Sequence, residues 1–434
     1  MRRGRKRSYL YRRYGYMSYR ERVRRKRRIV AAVSVTVLVV VAFSVLWFSG
    51  VLDRDSETAW KEAAGSETDV SEKEEDGSED AMQSVSSNEA ESLPEPAAQK
   101  ERPKVKGIYV TGRMAGSRGF QDLLTLVDET ELNTMVIDVK DDEGRITYEM
   151  DLDTVRQMGA ETRYIGDMEG LMSQLKEHQV YTIARIACFK DPCLAANRPE
   201  LALKKPDGTP VTDANGLAWV NPYRQEVWEY LIEVAREAAA VGFDEIQFDY
   251  VRFPIGADAD AADYGVDMLE YTRQQAITDF LTFASEELGA DGIPVTADVF
   301  GTIIGSDTDK ERTGQDYASL GSIVDVLCPM VYPSHYGNNV FGLDVPDAHP
   351  YETVYAALTG SKEELSGLPP QDCATVRPWL QAFTATWVKG HISYGGEEIR
   401  QQIQAVYDAG YDEWILWNAT NRYSAEGLLE SAEG

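Results

Sequence analysis

Five ionisable side chains recur near the ends of successive extended runs: Asp138 and Lys140 in 134–140, Arg185 in 181–189, Asp249 in 243–250 and Asp298 in 294–300. Side chains alternate along a strand, so one parity faces the interior of a closed sheet and the other faces the covering helices. Met135, Ile137 and Val139 form the apolar outer set of the second run, which leaves Asp138 and Lys140 inward. The same reading puts Arg185 inward beside Ile183 and Ala187, Asp249 beside Gln247, and Asp298 beside Thr296 and Phe300. Met330, Tyr332, Gln381, Phe383, and Trp417 or Asn418 join them by parity. Buried charges are costly unless paired or placed at an open mouth. One reading is therefore a structural ion-pair network closing a barrel, because Asp138, Lys140, Arg185, Asp249 and Asp298 nearly compensate one another. The favoured reading is a site, since barrel interiors are usually filled with branched apolar side chains.

Two carboxylates facing one cavity suit glycoside hydrolysis, in which one protonates the leaving oxygen and the other acts as nucleophile or activates water. Asp249 is assigned as nucleophile or base and Asp298 as acid. Asp138, Lys140, Arg185, Arg252, Tyr250, Tyr332, Gln381 and Trp417 are assigned to orienting substrate or tuning that pair. Trp219, Phe253, Tyr336 and Trp387 add aromatic faces on which sugars could stack. Other chemistries are poorly served. The four histidines, His178, His335, His349 and His391, are scattered, and only His335 lies near a strand end, so no metal site is expected. No Gly-x-Ser-x-Gly elbow or phosphate-binding Gly-Lys-Ser/Thr loop occurs, and no cofactor is expected. The four cysteines make no disulfide framework, although Cys188 and Cys193 are close enough in sequence to bridge.

The elements that must position these residues alternate. Extended runs at 105–111, 134–140, 181–189, 243–250, 294–300, 324–332, 377–383 and 412–418 are separated by helix-period stretches at 120–130, 165–178, 222–241, 264–288, 315–322, 351–358 and 397–409. Asn221 and Pro222 read as N-cap and first residue of the third helix. Eight strands with seven helices predict a (β/α)₈ TIM barrel over 104–434, with its site at the C-terminal strand ends. Long connections at 190–221 and 333–350 would surround that site. The segment 359–376 fits no element of the pattern.

Charge divides the 434 residues sharply. The chain carries 44 Lys+Arg and 72 Asp+Glu, a net charge of −28. Residues 1–28 nevertheless hold fourteen Lys/Arg against Glu21 alone. They lead into Ile29–Phe48, twenty residues without a charge, long enough as a helix to cross the roughly 30 Å hydrocarbon core of a bilayer. The expected order is a basic cytoplasmic tail at 1–28, an uncleaved transmembrane signal anchor at 29–49 meeting the lipid bilayer through residues 29–48, a disordered acidic linker at 50–103, and the barrel outside the cytoplasm. The acidity of the barrel region argues against nucleic acid as a partner.

Several strings resemble a bacterial family of TIM-barrel glycoside hydrolases without an established substrate: Val105-Lys106-Gly107-Ile108-Tyr109-Val110, Ile137-Asp138-Val139-Lys140-Asp141, Trp219-Val220-Asn221-Pro222, Phe248-Asp249-Tyr250-Val251-Arg252-Phe253-Pro254, and Cys328-Pro329-Met330-Val331-Tyr332-Pro333. The resemblance covers residues 104–425 and implies hydrolysis of a polysaccharide or oligosaccharide. The run from Asp244 to Val251 also looks like the fourth-strand motif of family 18 chitinases, with Asp249 on its last aspartate. Val251 stands where that family has its proton-donating glutamate, so the acid must come from elsewhere. The functional expectation is a membrane-anchored extracytoplasmic glycoside hydrolase; the alternative is a noncatalytic glycan-binding barrel of the cell envelope.

Overall fold

The chain from Lys106 onward lays down parallel strands, each followed by helix. β1 (Lys106–Val110), β2 (Thr134–Lys140), β3 (Tyr181–Ala187), β4 (Glu245–Asp249), β5 (Val295–Phe300) and β6 (Val326–Met330) pair in sequence order. β7 (Thr375–Val376) and β8 (Trp379–Gln381) share the next position, and β9 (Trp414–Trp417) pairs with both β8 and β1 to close the ring. This computed structural model describes residues 102–431, so the expected basic tail, the Ile29–Phe48 span and residues 50–101 of the expected linker lie outside the described residues. Among the described residues no helix is long and apolar enough to cross a membrane.

The nine strands make eight staves, because β7 and β8 are one stave interrupted at Arg377-Pro378. Thr375 and Val376 pair with Val326 and Leu327, and Trp379 then pairs with Met330 on one side and Ile415 on the other. Proline has no N–H to give to a ladder, which accounts for the gap. The result is a closed parallel barrel of eight staves, consistent with the TIM arrangement.

Apolar residues of the outward parity, among them Met135, Ile137, Ile246, Phe248, Val295 and Ala297, pack under the helices and are wholly buried. A smaller cluster, including Val136, Ile183, Val326, Cys328 and Ile415, fills the inside of the ring. Helices at Phe120–Glu129, Met168–Glu177, Tyr317–Gly321 and Gly396–Asp408 fall within a few residues of expectation. Three features differ. The third helix begins at Gln225, because Asn221 is engaged elsewhere: its side chain accepts from the Tyr223 N–H and donates to the Tyr264 carbonyl. The helix expected from Tyr264 starts at Arg273, where Thr272 and Gln275 form a reciprocal capping box. The segment that fitted no element begins as helix, since Pro350–Leu365 continues past Leu358, and ends in β7.

At the N-terminal end of the barrel Arg377 donates to Glu245 at 2.6 Å and to Glu413 at 2.8 Å, and Arg377 and Glu245 have no exposure. Thr296 Oγ1 also donates to Glu245. Truncating one member of a buried pair strands the other charge. Arg377→Met should therefore destabilise the protein by about 3–5 kcal/mol. An unchanged denaturant-unfolding midpoint in that variant would refute this role for the pair.

Candidate active site

The C-terminal ends of the staves surround a cavity of about 460 Å³ lined by Arg185, Asp249, Tyr250, Arg252, Asp298, Phe300, Gly301, Thr302, Met330, Tyr332, His335, Trp379 and Trp417. A larger cavity of about 1000 Å³ lies near the opposite end of β3, between Met168–Glu177 and the end of the third helix, away from these carboxylates.

Arg185 organises the mouth. It pairs with Asp138 through Nη1 at 2.6 Å, and its Nε donates to Asp249 Oδ2 at 2.9 Å, with Nη2 reaching the same oxygen. Asp138 also accepts the Tyr109 hydroxyl at 2.6 Å. Burial pushes the Asp138 carboxyl above its ordinary range, with Arg185 and Tyr109 opposing that rise. Desolvation works against the Arg185 charge, but Asp249 and Asp138 hold its pKa well above the usual value.

Asp298 stands in a different environment. It is 1% exposed, and its Oδ1 accepts the Trp379 indole N–H at 2.7 Å. Burial and then the nearby Asp249 charge drive its pKa well above the carboxylate range, while the Trp379 hydrogen bond pulls it partly back. Two aspartates at one cavity are thus differentiated: Asp249 is bound by a guanidinium, and Asp298 favours its proton.

The chain after β4 turns abruptly. Tyr250 has φ = +50°, a left-handed conformation rarely adopted by a bulky residue, and its N–H donates to Asp249 Oδ1 at 2.5 Å. Its ladder continues, since the Cys188 and Phe189 N–H groups donate to the Asp249 and Tyr250 carbonyls. This turn brings Arg252 back to the cavity, with its guanidinium 4.4 Å from the Phe300 ring centroid. Tyr332, Phe383 and Trp417 form an aromatic group beyond β6 and β8 and at the end of β9, with Tyr332 and Trp417 centroids 5.7 Å apart.

The structure thus brings Arg185, Asp249, Tyr250, Arg252, Asp298, Tyr332 and Trp417 to one cavity. Asp138 lies behind Arg185 and does not line it. Lys140 is absent as well: register slips between Asp138 and Lys140, and the lysine turns instead to Asp191 at 2.8 Å and the Ala187 carbonyl, fully buried. Gln381 is buried behind the mouth, donating to Asp347 and accepting from the Ser334 N–H. Of the other expected aromatics, Trp219 borders an adjoining cavity, Phe253 and Tyr336 are packed in the core, and Trp387 is exposed and stacked on Phe383. Cys188 and Cys193 are free thiols. Among the described residues no group of three or more His, Cys, Asp or Glu could hold a metal ion.

Sequence reading missed Trp379 and Tyr109, the hydrogen-bond partners of Asp298 and Asp138. Trp379 shares the parity of Gln381, so the same alternation contained the signal. His335 enters the cavity from a loop, where no periodicity applies; burial lowers its pKa.

Residues 107–423 match a family model described as "Putative glycosyl hydrolase domain". The chain belongs to that family. A hypothetical protein from Ruminiclostridium thermocellum ATCC 27405 is 37% identical over 44% of this chain and 97% of its own, with a TM-score of 0.41. The PgaB (BpsB) glycoside hydrolase domain from Bordetella bronchiseptica is similar in fold, with a TM-score of 0.54 over 73% of this chain and 94% of that domain at 12% identity. No curated protein matches the chain. As a glycosyl hydrolase family member the protein presents its carboxylates at the barrel end where enzymes of this architecture place their chemistry.

The raised Asp298 pKa has a consequence for stability. Between the ordinary carboxyl pKa of about 3.8 and the higher folded value, the unfolded chain is ionised at this residue while the folded one keeps its proton. Rising pH therefore favours unfolding through this group. Asp298→Asn should raise Tm near neutral pH, with the gain shrinking as pH falls toward 3.8. A pH-independent difference between the thermal melts would contradict the assignment.

Proposed function

We propose that the protein is a membrane-anchored glycoside hydrolase acting on a polysaccharide outside the cytoplasm, and that Asp249 and Asp298 are its carboxylate pair. The observation that carries this reading is the contrast between two aspartates on one cavity: Asp298 is buried with its pKa well raised, and Asp249 is gripped by Arg185. A carboxyl that keeps its proton suits a general acid for the leaving oxygen, and the guanidinium-bound carboxylate suits the role of nucleophile or base. Family membership supports the reaction class. Tyr250, Tyr332 and Trp417 would hold the sugar rings, and Arg185 would keep Asp249 aimed into the cleft. The anchor is the charge-free Ile29–Phe48 run, with the basic residues 1–28 on the cytoplasmic side.

The test is hydrolysis of a panel of cell-envelope and plant glycans by the full-length chain purified in detergent. Asp249→Asn and Asp298→Asn should each lower kcat by about 10²-fold or more, consistent with loss of acid–base or covalent catalysis. Undiminished turnover in both would remove the assignment, and glycan affinity without turnover in the unmodified protein would favour the binding-module alternative.

A second outcome concerns pH. The Trp379 indole stabilises the ionised form of Asp298, so Trp379→Phe should raise the pKa of the acid and move the alkaline limb of kcat/KM to higher pH. A limb that stays in place, or moves down, would exclude Asp298 as the group reporting there.

A further inference from the structure

Beside the cleft lies a second cavity of about 400 Å³, lined by residues 211–214 and 254–259 together with Trp219 and Arg252. Arg252 borders both cavities. The polar groups around the second one are unbalanced in a particular way. Its two carboxylates already have cations: Asp213 shares Lys190, at 3.0 Å, with Asp142, at 2.9 Å, and Asp258 pairs with Lys205 at 2.9 Å. Its guanidinium has no anion. Among the described residues Arg252 makes no ion pair, and its hydrogen bond is one donation from Nη1 to the Phe253 carbonyl at 3.0 Å. The guanidinium is held instead against aromatic faces, 4.9 Å from the Trp219 ring and 5.5 Å from the Tyr250 ring. Burial pulls its pKa down, and Tyr250, Asp249 and Asp213 oppose this without pairing with it.

Trp219 is 2% exposed and backs the guanidinium with its ring face, while its indole N–H is sealed from the cavity. The spare guanidinium N–H groups of Arg252, beside carboxylates that are already paired, form a place for an acceptor that the protein does not supply. A planar carboxylate matches the guanidinium fork.

We propose that this second cavity is a sugar subsite for an acidic sugar, with the Arg252 guanidinium receiving its carboxylate. The inference rests on reading the barrel mouth as a glycan cleft, and it names the substrate class: a glycan with a carboxylate-bearing unit next to the unit held between Asp249 and Asp298. The barrel region is itself strongly acidic, but repulsion between exposed charges is screened beyond about 8 Å at physiological salt. Contact-range donors therefore decide whether an anionic chain is accepted.

The experiment measures binding by calorimetry to the full-length chain in detergent, carrying Asp298→Asn to suppress turnover. The probes are tetrasaccharides of galacturonate, of mannuronate and of alternating N-acetylglucosamine and N-acetylmuramate, each beside its carboxyl-reduced counterpart. At least one acidic member should bind about tenfold or more tighter than its reduced form, as expected for a charge-assisted contact in a buried site. That ratio should fall to within about twofold in Arg252→Gln and drop less in Arg252→Lys. No binding by any probe, ratios near one throughout, or a ratio that survives Arg252→Gln would each overturn the proposal. Hydrolysis of neutral glycans with no preference for acidic ones would sink this inference and leave the hydrolase reading standing. An Arg252-dependent preference in a chain that cleaves nothing would do the reverse.

Discussion

Placing charge inside a closed sheet requires that each charge meet its counterpart before water is excluded, and Arg185 satisfies that requirement at the mouth of this barrel. One guanidinium spans Asp138 on the second stave and Asp249 on the fourth, so its own strand is tied to both neighbours through side chains as well as through the ladder. The electrostatic character of the cleft follows from this bracket. Because Arg185 is shared between two carboxylates, it leaves Asp298 on the next stave without a cation in contact, and Asp298 instead receives a neutral indole donor. The difference between the two cleft aspartates thus combines the burial of Asp298 with the direction in which a single arginine points.

The barrel interior is layered. The tier at the strand beginnings holds Arg377, Glu245 and Glu413; the middle is Val136, Ile183, Cys328 and Ile415; the tier at the strand ends holds the Arg185 group. The lower tier is satisfied internally and has no need of a ligand. The upper tier opens to a cavity and carries groups whose donors are not all used. A polar interior of this type is unusual for the architecture, in which branched apolar layers dominate. Between the tiers Gln247 is also buried inside the ring, where its amide donates to the Cys328 sulfur.

Much of this was legible in the sequence because strand alternation is a geometric rule with little room for exception. The parity of Asp138, Arg185, Asp249, Asp298 and Tyr332 places them on the interior side, and leaves only the choice between Trp417 and Asn418 to the structure. Lys140 broke the rule for a local reason: the register slips after Asp138, and a buried aspartate, Asp191, from the loop after β3 draws the ammonium away. Helix starts were less legible, since Asn221 and Thr272 are both credible caps and only tertiary contacts decide which one opens a helix. Loop residues such as His335 carry no periodic signal. Trp379 is the instructive omission, because a bulky aromatic reads as packing unless its polar N–H is counted as a donor needing an acceptor.

Gly301, directly after β5, shows how little latitude the floor of the cleft allows. A Cβ at this position would lie 2.5 Å from the Met330 carbonyl oxygen and 2.5 Å from the Tyr336 hydroxyl. Main chain meets main chain along this seam, so its gauge is fixed by the backbone, and a side chain at 301 would wedge the fifth and sixth staves apart three residues from Asp298. Remodelling the width of the groove by single replacements at its base is thereby closed off. Diversification of what related chains admit is left to the longer excursions after the third and sixth staves, which can change in length without disturbing the seam.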